Sequence, residues 1–282
     1  MADVQLRGLR LPVRDSWWTE FIRKEDWWAV WISLGLIGFA IAKALAKEGA
    51  SVVVNGRTAA RVEAAIAKLA QVGVRGKVEG LPADLGTAAG AAEALRRFPD
   101  VDILVNNLAI FEPKPFEQIT DQDWLHFFEV NVLSGVRLSR HYLPRMIERN
   151  WGRIIFISSE SAIQIPAEMI QYGTTKTAQL AVSRGLAELT AGTNVTVNAV
   201  LPGPTASEGV DKFLDGVAAM KNTDRAQLER NFVPTMRPTS LLRRFETPDE
   251  IAAMVAFVCS PLASGTNGAA LRVDGGVVRT II

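Results

Sequence analysis

From residue 38 onward, stretches of helical spacing alternate with short β-branched runs, and this alternation limits the folds open to the chain. The strand-like runs are residues 51–55, 78–82, 101–106, 152–158, 194–201 and 269–274. The helical stretches are residues 38–49, 59–70, 87–98, 121–149, 167–189 and 247–260, the fourth with a break. Strict alternation is typical of βαβ units and of a parallel sheet covered by helices on both faces. The sequence therefore predicts a single-domain, doubly wound α/β fold.

Charge and cysteine content exclude several classes of function. The chain has 282 residues, with 31 Lys and Arg against 30 Asp and Glu, a net charge of +1. This balance argues against binding to the phosphates of nucleic acid. The single cysteine rules out an internal disulfide, and with only two histidines it leaves little for a soft-metal site, so no metal is expected. A reducing, cytoplasmic location fits this composition.

The N-terminal segment, residues 1–31, differs in composition from the rest and contains five of the seven tryptophans. An uncharged, mostly apolar run of 16 residues covers 27–42. A membrane-spanning helix needs about 20 residues, so a membrane anchor is the less favoured interpretation. The favoured one is an apolar strand followed by a half-buried helix. We predict a catalytic domain at 32–282, with residues 206–245 inserted as a lid over its open end.

Polar and turn-forming residues stand where the predicted strands end. They are residues 55–57, 84–85, 106–107, 158–159 and 202–203. In open parallel sheets, ligands bind beyond the carboxyl ends of the strands. The sequence therefore predicts a binding site at this edge of the sheet.

Tyr172 and Lys176 are four residues apart near the start of a predicted helix, so they share one face. A nearby ammonium group favours the phenolate form and lowers the pKa of a tyrosine, which suits proton exchange with a substrate oxygen. Ser159, at a strand end, would face the same cleft. Taken alone, the Tyr–Lys pair has an alternative interpretation as an ordinary solvated helix face.

Over residues 38 to 282, the chain resembles the short-chain dehydrogenase/reductases, and within them the 3-oxoacyl-acyl-carrier-protein reductase-like branch. The matching motifs are Asp84-Leu85, Asn106-Asn107-Leu108-Ala109, Asn131, Ser159, Tyr172 with Lys176, Pro202-Gly203-Pro204-Thr205, and Val273-Asp274-Gly275-Gly276. The resemblance implies a Rossmann-type fold and reversible hydride transfer between a nicotinamide cofactor and a carbonyl compound or alcohol.

The resemblance also implies the catalytic roles. Tyr172 would be the general acid in reduction, and Lys176 would lower the pKa of Tyr172 and bind the nicotinamide ribose. Ser159 would polarise the substrate carbonyl. Asn131 would hold a water that links Lys176 to solvent; a helix residue bonding locally is its alternative interpretation.

The cofactor contacts implied by the same resemblance involve residues from every strand end. They are Ile37, Gly38, Arg57, Asp84, Leu85, Asn107, Ala109, Tyr172, Lys176, Pro202, Gly203 and Thr205. Residues 55–57 offer Arg57 and no carboxylate, which suits a 2′-phosphate and favours NADP(H) over NAD(H). The alternative is that Arg57 is a surface charge.

The glycine-rich loop departs from the family pattern Thr-Gly-x-x-x-Gly-x-Gly. In residues 31–38 only the last glycine, Gly38, is retained; Ile32 and Leu36 replace the first two, and Gly35 is out of register. Branched side chains there should collide with the pyrophosphate or force a different turn. A shifted reading frame or a divergent extension that binds a partner would each explain the segment before this loop.

These observations favour an NADP(H)-dependent oxidoreductase whose substrate is a small carbonyl compound or secondary alcohol, acyl compounds included. The alternative is a non-catalytic family member, impaired in cofactor binding, that acts as a binding or assembly scaffold. The resemblance further implies a homotetramer or homodimer that pairs through helices at about 121–149 and 167–189.

Overall fold

The computed structural model describes residues 28–33, 35–206 and 224–281 of the chain. Its seven strands, all parallel, form one sheet in the order β3-β2-β1-β4-β5-β6-β7. The strands are β1 (Trp28–Ser33), β2 (Ser51–Gly56), β3 (Val78–Pro82), β4 (Ile103–Asn106), β5 (Gly152–Ile157), β6 (Val195–Pro202) and β7 (Ala270–Val273). The predicted doubly wound, Rossmann-type sheet is confirmed.

Eight α-helices lie among the described residues, and most start at a side-chain cap. They are α1 (Leu36–Lys47), α2 (Ala59–Gln71), α3 (Ala88–Arg97), α4 (Asp121–Phe128), α5 (Ser134–Glu148), α6 (Ile170–Glu188), α7 (Arg225–Met236) and α8 (Pro248–Cys259). Thr247 and Glu250 form a capping box at the start of α8, which satisfies amides that the first helical turn leaves unpaired. Thr120 and Asp123 do the same for α4.

The break expected in the helical stretch 121–149 is a π-helical turn, Glu129–Leu133, between α4 and α5. Asn131 lies inside this turn. π-helical turns are rare and often occur at functional sites, because they re-aim side chains and carbonyls. The turn therefore indicates that Asn131 and its neighbours belong to a functional site.

Hydrophobic residues cover both faces of the sheet. Along β5, Ile155 and Ile157 pack toward the cluster that contains α1 and α8. Ile154 and Phe156, which alternate with them, pack toward the cluster that contains α3 and α5. The single cysteine, Cys259, is fully buried in the first cluster. A strand buried on both faces explains why the strand-like runs are continuously apolar.

The apolar run at the N-terminal side forms a strand and a helix, β1 and α1. β1 pairs with β2 on one side and β4 on the other, so it occupies the middle of the sheet. The boundary expected between residues 31 and 32 falls inside this strand, and the division into two segments stays a prediction. In the part of the chain that the structure describes, no helix combines the length and apolar character needed to cross a membrane.

The insertion at 206–245 contains α7 in its second half. Residues 207–223 of the insertion, like residues 1–27, lie outside the described residues. Glu246, just after the insertion, forms a parallel bridge with Thr205, just before it. The insertion therefore leaves and rejoins the sheet at one place, beside the carboxyl end of β6.

Candidate active site

A cleft of about 350 Å³ lies at the carboxyl ends of the strands. Nine predicted site residues line it: Ile37, Asn107, Ala109, Ser159, Tyr172, Lys176, Pro202, Gly203 and Thr205. The strand order reverses between β1 and β4, and such switch points are where doubly wound sheets bind ligands. The structure therefore brings most of the predicted site residues together where the fold predicts a site.

Ser159 follows β5 and caps a short 3₁₀ turn, Glu160–Ala162. Its Oγ accepts a hydrogen bond from the Ser161 amide at 3.1 Å. The same hydroxyl donates to Oε2 of Glu160 at 2.5 Å, a charge-assisted bond to a buried carboxylate. The serine is thus held in one rotamer, with its proton directed at Glu160.

Tyr172 and Lys176 lie one turn apart on α6 and both face the cleft. Phe111 meets the Tyr172 ring edge-on, with 6.2 Å between ring centroids. The Lys176 Nζ lies 5.6 Å from the centroid of the Tyr172 ring and donates to the Ile157 carbonyl at 2.8 Å. The end of β5 therefore fixes the ammonium group beside the tyrosine.

Burial raises the pKa of the Tyr172 hydroxyl above its ordinary value, and the Glu160 carboxylate raises it further. A hydrogen bond with Ser159 and the charge of Arg237 lower this pKa but do not outweigh burial. Burial also lowers the pKa of Lys176 to about 7. The lowering of the tyrosine pKa that the Tyr–Lys spacing predicts is therefore not the dominant effect in this environment.

Asn131 does not line the cleft with the other three predicted catalytic residues. Its side chain, fully buried, bonds the backbone of Ile110 twice: Oδ1 accepts from the amide at 2.7 Å and Nδ2 donates to the carbonyl at 3.0 Å. Nδ2 also contacts the Thr175 hydroxyl at 3.0 Å. The backbone carbonyl of Asn131 accepts from the side chain of Gln179, a residue that sequence reasoning missed.

A second group missed from the sequence surrounds Glu160. Its Oε1 accepts from Nε of Arg237 at 2.9 Å, and Nη1 of Arg237 contacts Glu168 at 3.2 Å. Arg237 caps the end of α7, so one guanidinium joins this helix to the loop that follows β5. The position of Glu160, directly after Ser159, was the one sign in the sequence that this carboxylate belongs to the site. Nothing indicated its pairing with Arg237, because the two residues are 77 positions apart.

Three arginines, two on α7 and one at its end, are paired with carboxylates. Arg225 pairs with Glu229 and Arg230 with Asp224, in addition to the pairs of Arg237. Carboxylates of the chain itself therefore already balance the charge of these three side chains.

The N-terminus of α1 reaches the cleft through Gly35, Leu36 and Ile37. Gly35 is the N-cap, in an extended conformation, and space is open where a Cβ would stand. The first turn carries no acidic residue, so its amides suit an anionic group. Gly38 is buried within α1 and does not line the cleft.

The residues expected at the adenine end lie outside the main cleft. Arg57 is exposed after β2, and Asp84 is also exposed, its Oδ1 accepting from the Gly86 amide at 3.0 Å. Leu85 borders a small adjoining cavity with Asn107. Asn55 does not project to a ligand, because its Nδ2 donates to the Leu81 and Ala83 carbonyls.

The Pro202–Thr205 loop closes the other end of the cleft. A Cβ on Gly203 would stand 2.8 Å from the Asp274 backbone, so only glycine fits there. The Gly203 amide donates to Oε2 of Glu246 at 3.0 Å. Burial, with a smaller contribution from the neighbouring Asp274, raises the pKa of Glu246 to about 8, although the hydrogen bond from Gly203 lowers it in part. A buried carboxyl group thus braces this loop from behind.

The chain is similar in sequence and in fold to known oxidoreductases. Residues 35–278 match the family model described as enoyl-(acyl carrier protein) reductase. The uncharacterized oxidoreductase YvaG of Bacillus subtilis (strain 168) is 50% identical over 245 residues, 87% of this chain and 93% of YvaG. The D-beta-hydroxybutyrate dehydrogenase of Cupriavidus necator is 34% identical over 246 residues, 86% of this chain and 93% of that protein. The crystal structure of L-sorbose reductase from Gluconobacter frateurii, complexed with NADPH and L-sorbose, matches with a TM-score of 0.84 at 29% identity, over 91% of this chain and 98% of that one.

Proposed function

Because the chain belongs to the short-chain dehydrogenase/reductase family of oxidoreductases, we propose that it transfers a hydride between NADP(H) and a carbonyl compound or secondary alcohol. The observation that carries this proposal is the meeting of Ser159, Tyr172 and Lys176 in one cleft at the switch point of the sheet. A nicotinamide bound there would supply the hydride in reduction and take it up in oxidation.

The proposed proton chemistry belongs to Tyr172. In reduction its hydroxyl gives a proton to the carbonyl oxygen while the carbonyl carbon receives the hydride, and the alcohol product results. A raised pKa keeps this tyrosine protonated before transfer. Ser159 would turn its hydroxyl from Glu160 toward the carbonyl oxygen and stabilise the charge that develops there.

NADP(H) is proposed over NAD(H) on the chemistry of Arg57, the exposed residue just after β2. A guanidinium group forms charge-assisted bonds to a 2′-phosphate. The first-turn amides of α1 would hold the pyrophosphate, and the third N–H of Lys176 would reach the ribose. Leu36, which lines this end of the cleft and stands in the place of a loop glycine, makes this the least family-like part of the site.

The substrate is proposed to be a ketone or secondary alcohol with an apolar body. Apolar side chains line the outer part of the cleft: Phe111, Pro113, Met169, Phe232, Met236 and Phe245. Relatives and structural neighbours named for hydroxybutyrate, L-sorbose and 3-oxoacyl groups share only the carbonyl–alcohol chemistry. A ketone or secondary alcohol is thus the substrate class common to all three. The 3-oxoacyl-acyl-carrier-protein reductase-like branch remains the proposed subgroup.

A homo-oligomer in the cytoplasm is part of the proposal. Leu125 on α4 and Leu189 at the end of α6 expose more than half of their surface to solvent. Apolar side chains of this size, exposed on two neighbouring helices, favour a contact with a second copy. Pairing through these helices was the arrangement expected from the sequence.

Thermal unfolding with each cofactor tests the proposal. NADPH should raise the melting temperature, because a ligand that binds only the folded state stabilises it, and NADH should have a smaller effect. Arg57→Ala should weaken NADPH binding about 10- to 100-fold and leave NADH binding unchanged. No shift with either cofactor would instead favour the scaffold role, for which Leu36 in the place of a loop glycine is the supporting observation.

Turnover of a panel of ketones with NADPH completes this test. Tyr172→Phe should lower kcat by about 10²- to 10⁴-fold, the usual contribution of general acid catalysis, while the NADPH-induced shift is retained. Tyr142→Phe is the matched control, because Tyr142 is the other of the two tyrosines, its hydroxyl donates to the Phe98 carbonyl, and it does not line the cleft. Equal turnover by both variants would exclude Tyr172 as the proton donor.

A further inference from the structure

One buried side chain contacts both Lys176 and the π-helical turn. Gln179 lies one turn after Lys176 on α6 and is 2% exposed. Its Oε1 accepts from Nζ of Lys176 at 3.3 Å, and its Nε2 donates to the backbone carbonyl of Asn131 at 2.5 Å. This carbonyl lies inside the π-helical turn.

The two partners leave the amide only one orientation. The Lys176 ammonium only donates, so it requires the amide oxygen; the Asn131 carbonyl only accepts, so it requires the amide nitrogen. A carboxylate would satisfy the lysine alone, and an apolar side chain would satisfy neither. Among the common side chains of this length, a carboxamide is thus the one that meets both demands at once.

We propose that Gln179 is a positioning residue for Lys176 and takes the place of a water between the lysine and Asn131. This inference rests on the proposed function, because Lys176 matters to turnover only if Tyr172 transfers the proton. Gln179 and the Ile157 carbonyl hold two N–H groups of the ammonium, and the third remains for the cleft. An amide does not release a proton near neutral pH, so this bridge orients Lys176 without conducting protons.

The electrostatic surroundings give the bridge a measurable effect. From β5 the lysine meets the neutral Ile157 carbonyl, and from the π-helical turn the neutral Gln179–Asn131 bridge. Tyr172, on the same helix, is the titratable group beside it, while Glu160 and Arg237 act on the pKa of Tyr172. An acceptor on the ammonium favours its charged form, so losing Gln179 should lower the lysine pKa.

Gln179→Met tests the inference, because methionine keeps the length of the side chain and removes both hydrogen bonds. We expect kcat to fall about 10- to 100-fold with KM little changed, the loss typical of a hydrogen bond to a charged group. The basic limb of the kcat pH profile should move to lower pH, on the order of one unit. Gln179→Glu should move the same limb to higher pH, since a carboxylate favours the ammonium.

Ser183→Ala is the matched control. Ser183 is buried two turns after Lys176 on the same helix, and its hydroxyl has no hydrogen-bond partner among the described residues. This variant should keep the kcat and pH profile of the unsubstituted chain. A purely structural role for Gln179 would lower the stability of Gln179→Met and leave both properties unchanged, which would overturn the inference.

A readout that needs no turnover separates this inference from the proposed function. ¹⁵N NMR of lysine-labelled protein, with the Lys176 signal assigned by its loss in Lys176→Arg, reports the lysine pKa directly. We expect this pKa to fall in Gln179→Met and rise in Gln179→Glu. These shifts in a chain without reductase activity would sustain the positioning role and refute the function; an unchanged pKa would refute the positioning role even in an active enzyme.

Discussion

At the scale of single residues, Ser159, Glu160 and Arg237 form a connected chain of polar contacts beside Tyr172. The Glu160 carboxylate accepts a hydrogen bond from the Ser159 hydroxyl and raises the pKa of Tyr172. Arg237, which is ion-paired with Glu160, lowers the pKa of Tyr172. The proton affinity of the tyrosine thus depends on a lid residue as well as on the residues of its own helix.

Glu160→Gln should lower the pKa of Tyr172, because it removes the negative charge while keeping the shape of the side chain. The measurement is an ultraviolet titration of the phenolate in a Tyr142→Phe background, where Tyr172 is the only tyrosine. We expect ionisation to begin at lower pH in Glu160→Gln. Glu168→Gln is the control, since Glu168 contacts Arg237 but does not act directly on the tyrosine. Identical titrations for the two variants would contradict the assignment.

At this scale, the sequence predicted only the arrangement of residues that lie close together along the chain. Tyr172 and Lys176 are one helical turn apart, so spacing alone placed them on one face. The Glu160–Arg237 and Gln179–Asn131 pairs join residues 77 and 48 positions apart. Only the folded chain brings such residues together, so no periodicity or spacing could have identified them.

At the scale of elements, the segment around Glu246 anchors the lid to the sheet. The Glu246 amide donates to the Pro204 carbonyl, its own carbonyl accepts from Ala206, and its side chain accepts from Gly203. The buried carboxyl therefore connects the end of the insertion to the loop that closes the cleft. The sequence indicated an insertion at 206–245. It did not indicate this attachment, because the bridge joins Thr205 and Glu246, which lie at opposite ends of the insertion.

The raised pKa of Glu246 makes the stability of this attachment depend on pH. Between about pH 4.5 and 8 the folded state keeps a proton that the unfolded state releases, so this stabilisation is full below about pH 4.5, falls as pH rises, and is gone above about 8. Lys176 has the opposite effect on stability: because its pKa is lowered to about 7, its contribution to the free energy of unfolding rises with pH. This contribution is the same in the unsubstituted chain and in Glu246→Gln, so it cancels when the two are compared. The free energy of unfolding of the unsubstituted chain, relative to Glu246→Gln, should therefore fall from about pH 6 to about pH 9.

Chemical unfolding of both proteins across this range measures the difference. Glu229→Gln, an exposed position on α7, should give a difference that does not change with pH. If Glu246→Gln showed the same pH-independent difference, the carboxyl of Glu246 would not titrate in this range in the folded chain.

At the scale of the whole molecule, β1 belongs to a segment of unusual sequence but lies inside the sheet, as the first strand of an ordinary doubly wound fold does. The family model matches from Gly35 onward, yet the strand before it pairs with β2 and β4 in the middle of the sheet. The alternation of apolar runs predicted the architecture because strands buried on both faces need only apolar, β-branched segments. A loop that holds a pyrophosphate needs glycines at particular positions. An apolar pattern that is sufficient for a buried strand is therefore not sufficient for such a loop.

Removal of residues 1–34 should therefore prevent folding, whereas removal of residues 1–26 should leave the sheet complete. Without β1, two ladders of backbone hydrogen bonds are lost and two strand edges are exposed. The cost is comparable to the whole stability of a domain, about 5–15 kcal/mol. Circular dichroism and size-exclusion chromatography of the two truncated chains measure the outcome. Cooperative unfolding of the shorter chain, with the same midpoint, would show that β1 is dispensable.

The buried position of the single cysteine has a practical consequence for studying motion in this protein. Burial raises the pKa of the Cys259 thiol to about 12, and thiolates are the species that react with maleimides and iodoacetamides. The unsubstituted chain is therefore nearly inert to such reagents while it stays folded. A cysteine introduced on the outer face of α7 could carry a fluorophore or spin label without first removing Cys259. Any movement of α7 relative to the sheet could then be followed in real time in a protein whose interior packing is unaltered.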